Sequence, residues 1–381
     1  MNAKAHFALA AALAVAASLN AGTRIYPEGG SDLWTDAANW TNGVPGVTDT
    51  GDVTFNLDSK GKTTLLSGTD TYSIQKLVMA GGNLEISGAT LYLNSWFASG
   101  VSANPDSYDE INITVSNGGT FNTTSFSMGD KEYTDTNITV KDGSFFVMRT
   151  QATIGSRANT NSTITIEKGA TWNSQKLLVG NSAGANATVN VYGDHAIGNN
   201  MSIGEAGAAG VYNLYGSGSF SAANSMDKRA WVQATGTLAF RLTGVDARRI
   251  SDVEGGVIAG GVTAMFDLGS ALSVSAGGRL LIDFTDFSVE GAYTAGEQYA
   301  IALISTTTSN LISAMSVEGL EYMGDDKEWS LAGSDKADYL KYSNGTYYLL
   351  VQYNAIPEPS VFAAIFGAAA FVFASCRRRR A

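Results

Sequence analysis

The sequence predicts an all-β protein whose body is a parallel β-helix, and three observations carry that expectation. The first is a repeat of about 25 residues: copies starting at Ile113, Ile138, Ile164, Val189 and Tyr212 are separated by 25, 26, 25 and 23 residues. The second is composition. Of 381 residues, 43 are glycine and five proline, and only 15% are charged, against about 25% in average soluble domains. Exposed helix faces need Glu, Lys and Arg, so this chain fits short strands joined by tight turns instead. The third is alternation within each copy. Ile113-Thr114-Val115, Ile138-Thr139-Val140, Ile164-Thr165-Ile166 and Val189-Asn190-Val191 put apolar residues at period 2, the mark of a strand with one face turned inward.

Residues 1–21 read as a secretory signal peptide. Lys4 is followed by an apolar run over 7–19 and a small-residue exit at Asn20-Ala21-Gly22, the three-part layout of such a leader. Residues 22–52 are expected to form an N-terminal cap. Leu33-Trp34, Asn39-Trp40 and Gly43-Val44-Pro45 are apolar and turn-rich, and a stack of strands must have its open end covered.

Residues 53–296 are expected to be the β-helix. One copy cannot bury its apolar face alone, whereas stacked copies form a continuous core with strands about 4.8 Å apart. Parallel crossovers are nearly always right-handed, so the coil should be too. About nine rungs would make a rod roughly 45 Å long. Ile113, Ile138, Ile164 and Val189 should stack in one inward column. Gly118, Gly143, Gly169 and Asp194 follow those starts by five residues and suit corners. Phe121, Phe146 and Trp172 recur after the corner and are expected to stack as an aromatic column. No copy shows the i, i+3, i+4, i+7 stripe of a helical repeat. Residues 297–354 are expected to form an antiparallel cap, because Asn344-Gly345 between Tyr342 and Tyr347 is a type I′ hairpin signal.

Residues 355–381 contain Pro357-Glu358-Pro359, an apolar run over 361–375, then Cys376 and Arg377, Arg378, Arg379 and Arg380. About 15 apolar residues make a short membrane helix, and the arginines would stay cytoplasmic. This order of parts resembles the PEP-CTERM sorting signal of exported Gram-negative bacterial proteins. The resemblance implies Sec export, transient anchoring in the inner membrane, and processing at Pro357, Glu358 and Pro359 by an exosortase-type membrane enzyme. It also implies a place at the cell surface or in the extracellular matrix, associated with exopolysaccharide, adhesion or biofilm. More loosely, residues 33–55 are similar to the leading segment of autotransporter-like β-helix passengers.

The chain carries 24 basic and 35 acidic residues, and without Lys4 and Arg377 to Arg380 the basic count falls to 19. So acidic a body repels phosphate backbones, which disfavours nucleic-acid binding. One cysteine excludes a disulfide scaffold. Candidate chemistry is sparse. His195 is the one histidine of the body and is expected as a polar turn residue at a corner. Gly180-Asn181-Ser182-Ala183-Gly184 matches Gly-x-Ser-x-Gly, which works only where a strand turns into a helix. Asp325, Asp326 and Glu328 suggest a solvated loop. No cofactor or metal is expected. The leading reading is a non-catalytic surface or matrix protein. The alternative is a carbohydrate-active β-helix enzyme, a polysaccharide lyase or glycoside hydrolase, which would need convergent carboxylates on one face.

Overall fold

In a computed structural model of the chain, the described residues are 22–354 except 29, 48–50, 101–107, 223–228, 250–252, 255–256 and 259–262. Residues 1–21 and 355–381, with the expected leader and sorting signal, lie outside them. The body is a parallel β-solenoid with about seven turns at a spacing of about 26 residues. A ten-stranded sheet starts at Thr63–Ser67 and runs rung by rung to Met315–Glu318, every neighbour parallel. This is the first face of the coil.

An 18-stranded sheet supplies most of the remaining described strands, and two two-stranded pairs the others. Its long strands Thr90–Ser99, Thr120–Met128 and Ser144–Ile154 each shift register once along their length. In a later rung the same course is cut into Asp194–Ile197 and Met201–Ile203. The break divides this sheet into a second face, through residues 144–147, and a third, through 151–154.

The core follows from the alternation. Leu84, Ile113, Ile138, Ile164, Val189, Tyr212, Leu238 and Leu280 stand in register on the first face. The four expected repeat starts, Ile113, Ile138, Ile164 and Val189, are all buried. An aromatic column also forms, but with a correction. Phe145, not Phe146, pairs with Phe121 on one side and Trp172 on the other, and it is wholly buried. Successive side chains on a strand point to opposite faces, so a one-residue offset turns Phe146 outward. Ring centroids stand 5.4 Å apart for Phe121 and Phe145, and 5.8 Å for Phe145 and Trp172. The column continues through His195, Phe220 and Phe266.

The corner closing the third face repeats a glycine. Gly129, Gly155, Gly180 and Gly204 have φ of 68°, 72°, 76° and 77°, left-handed values that glycine adopts without strain. A Cβ on Gly180 would lie 2.9 Å from the Cβ of Ala208 in the next rung.

Both ends are covered. At the N-terminal end Trp34 and Trp40 pack with centroids 4.7 Å apart, and Phe55 lies against both. Their indole N–H groups donate to Pro45 O and Trp34 O. Arg24, 1% exposed, donates to Thr64 Oγ1 at 2.8 Å and to Asn39 O at 3.2 Å. At the other end Gln298–Ser305 pairs antiparallel with Thr346–Tyr353. The latter forms the expected hairpin with Leu340–Ser343, turning at Asn344 and Gly345 with φ of 47° and 79°. The segment is not wholly antiparallel. Met315–Glu318 extends the first face in parallel, and Phe266–Asp267 pairs in parallel with Gln298–Ser305.

Candidate functional site

The structure buries His195 rather than leaving it at a corner. It faces inward from Asp194–Ile197, in register with Trp172 and Phe220. The imidazole stacks on the Trp172 ring at 4.0 Å between centroids. Its Nε2 lies 3.1 Å from Ser174 Oγ and its Nδ1 2.8 Å from Tyr212 Oη. Burial pulls its pKa down to about 3 and holds the Tyr212 hydroxyl far above its usual range, because a charge here would lose its hydration. His195 is therefore neutral, with one ring nitrogen donating and the other accepting. The pattern could not reveal this, because an aromatic column admits histidine only when hydroxyls satisfy its nitrogens.

The order Ser174, His195, Tyr212 resembles a nucleophile, a base and an orienting group. Ser174 is 4% exposed, however, and the ring it meets is 1% exposed. The contacts satisfy buried polar groups and fix which rungs meet. Ser182 stands elsewhere. After Thr171–Val179 the chain turns at Gly180, Ala185 N donates to Ser182 O at 2.9 Å, and the strand Asn186–Val191 follows. Strand–turn–strand is not the strand–turn–helix that a nucleophile elbow needs. Asp325, Asp326 and Glu328 are exposed in a loop. Among the described residues no group of three or more His, Cys, Asp or Glu is placed to hold a metal ion, and no helix is long and apolar enough to cross a membrane.

The outward faces differ from one another. On the first face the amides form ladders. Asn112 Nδ2 donates to Asn83 Oδ1 and Asn137 Nδ2 to Asn112 Oδ1, at 2.9 and 3.2 Å. Asn161 donates to Asp135, Asn186 to Asn161, and Asn213 to Asn190. Tyr192 and Tyr215 extend this face as a stacked pair, centroids 3.8 Å apart. Burial, with the neighbouring Tyr215 hydroxyl, raises the Tyr192 pKa.

The second face presents a column of Tyr92, Asn122, Phe146, Asn173 and Ala196, one per rung. Its amides are not laddered: among the described residues Asn173 and Gln175 make no side-chain hydrogen bond, and Asn122 Oδ1 is covered without a partner. Where Phe146 gives way to Ala196 and Gly198, a cavity of about 340 Å³ opens, walled by Phe146, Asn173 and Gln175. A Cβ on Gly198 would meet Gln175 Oε1 at 2.4 Å, so a larger residue there would push the Gln175 side chain aside. Sequence reasoning missed this strip because it placed Phe146 in the core. Adjacent Phe145 and Phe146 fit either phase of the alternation, and only the pairing of Phe145 with Trp172 in the next rung turns Phe146 outward.

Fold and surface together define a three-faced parallel β-solenoid with a hydrogen-bonded polar core network and one unsaturated amide–aromatic strip. Compared with protein-family models, with curated proteins and with solved structures, the chain finds no match.

Proposed function

We propose that the chain is a non-catalytic exported protein of the cell surface or extracellular matrix, sorted through a PEP-CTERM and exosortase-type system. The observation that carries the reading is the order Pro357-Glu358-Pro359, apolar residues 361–375, then Arg377 to Arg380. Each part has a physical role. The apolar run halts export, and the arginines stay cytoplasmic because crossing would strip their hydration. The two prolines keep the motif extended and accessible just outside the bilayer. About 15 apolar residues anchor weakly, which suits a transient precursor. The leader-like residues 1–21 supply the start of export.

The acidic, glycine-rich solenoid supports the reading in a second way. A parallel stack with a continuous core is a stiff scaffold that needs no disulfide, which suits a chain with one cysteine. The test is fractionation of the native host with and without its exosortase. In its presence the protein is expected at the surface or in the medium. Deletion of the enzyme should strand it in the inner-membrane fraction. An unchanged distribution would overturn the sorting reading.

A further inference from the structure

We propose that the second face binds an uncharged, extended β-linked polysaccharide lying along the solenoid axis, through the strip formed by Tyr92, Asn122, Phe146, Asn173, Gln175 and Ala196. The proposal deepens the matrix reading by naming a ligand class and its site. It rests on that reading only for where such a polymer would be met.

Four observations converge. The first is hydrogen bonding. The amides of the first face are consumed by one another, whereas Asn173 and Gln175 on the second face have no side-chain partner among the described residues. Free amides beside apolar rings are the usual makeup of a site that orients a polar ligand. The second is the rings. Tyr92 and Phe146 are half-buried on the outward side, and neither stacks on another aromatic ring of the described residues. Their exposed ring area can cover the apolar C–H face of a pyranose.

The third is spacing. The rings stand in one column with only Asn122 between them, two strand spacings or about 9.6 Å apart. An extended β-1,4-linked glycan advances by about one strand spacing per sugar and presents alternate faces. Alternate sugars would therefore meet Tyr92 and Phe146, with the cavity over Ala196 and Gly198 taking the next ring along. The match holds only for a straight polymer. A helical α-linked glucan curves away from a flat strip.

The fourth is charge. The chain has a formal net charge of −11, yet the paired outward residues of this face from Ser73 to Asn173 include no Asp, Glu, Lys, Arg or His. Lys176 stands at its border beside Gln175, and charged residues enter the column itself in later rungs, at Asp194 and Asp267. An uncharged partner fits such a strip, whereas an anionic one would be repelled by the surrounding body and a cationic one would find no carboxylate there. The covered Oδ1 of Asn122 leaves the polar contacts to Asn173 and Gln175.

The experiment uses the full chain purified in mild detergent. Pull-down on insoluble cellulose and chitin is set beside starch, and affinity electrophoresis in hydroxyethyl cellulose gives dissociation constants. Binding to a β-1,4-linked polymer is expected, at least tenfold tighter than to starch and little changed by added salt. Phe146→Ala and Ala196→Trp, one removing a ring and the other filling the cavity, should each weaken it at least tenfold. Thr165→Ala on the first face should not. Circular dichroism and the thermal midpoint of each variant establish that it is folded. No binding to either polymer, equal binding to starch, or unchanged binding by both second-face variants would overturn the proposal. None of these outcomes bears on exosortase sorting, which is read from localisation in the host.

Discussion

His195 and the two neighbouring phenylalanines carry the sharpest consequences at the scale of single residues. Neutral and enclosed between Trp172 and Phe220, His195 has a folded-state pKa lowered to about 3 by burial, against about 6.5 in the unfolded chain. Between these values the unfolded chain takes up a proton that the folded one refuses. Stability is therefore full above about pH 6.5 and falls as pH drops towards 3, by at most about 1.4 kcal/mol per pH unit from this residue. Thermal unfolding from pH 7 to 4 should show that loss, and His195→Phe should show a shallower one. Identical slopes would contradict the assignment. Phe145 and Phe146 make a paired test. Phe145→Ala removes a fully buried ring from the column and should cost about 3–5 kcal/mol. Phe146→Ala, on the outward side, should cost well under half of that in the same denaturant titration. Equal costs would mean that the register is wrong.

A strand or a corner is governed by its place in the rung. Ile138 lies in register with Ile113 and Ile164, so Ile138→Asp would bury an unpaired charge and cost several kcal/mol. The glycine corners give a separate test. Gly180→Ala places a Cβ against Ala208 at a left-handed φ of 76° and should cost on the order of 1–3 kcal/mol, measurable by urea unfolding. A neutral outcome would show that the corner relaxes freely. At this scale the sequence was most legible. The isoleucine and valine starts, the repeat and the Asn344-Gly345 turn all follow from local chemistry: a period of 2 for strands, and φ > 0 for the turn. Phe145-Phe146 was not legible, because adjacent identical residues fit either phase of the alternation and only the partner rung decides. His195 was misplaced for a similar reason. Its inward place depends on Ser174 and Tyr212, which are distant in sequence and adjacent only in the stack. The strip on the second face depended on the same phase, so it stayed hidden with Phe146.

As a whole molecule the chain is a quasi-one-dimensional stack, in which each rung contacts mainly its neighbours and the ends must be closed. The aromatic cluster of Trp34, Trp40 and Phe55 closes one end. Replacing both tryptophans by alanine should lower the thermal midpoint and promote self-association through the uncovered strands, read by light scattering. Such a rod serves at the surface only if it is delivered there and freed, so the proposed role depends on the tail that follows it. The most direct measurement is the intact mass of the protein recovered from the surface of its native host. The account predicts a form that begins near residue 22 and lacks Arg377 to Arg380, its C-terminus at or near Pro357-Glu358-Pro359. A surface form that retains all four arginines would contradict it and make the tail a simple membrane anchor.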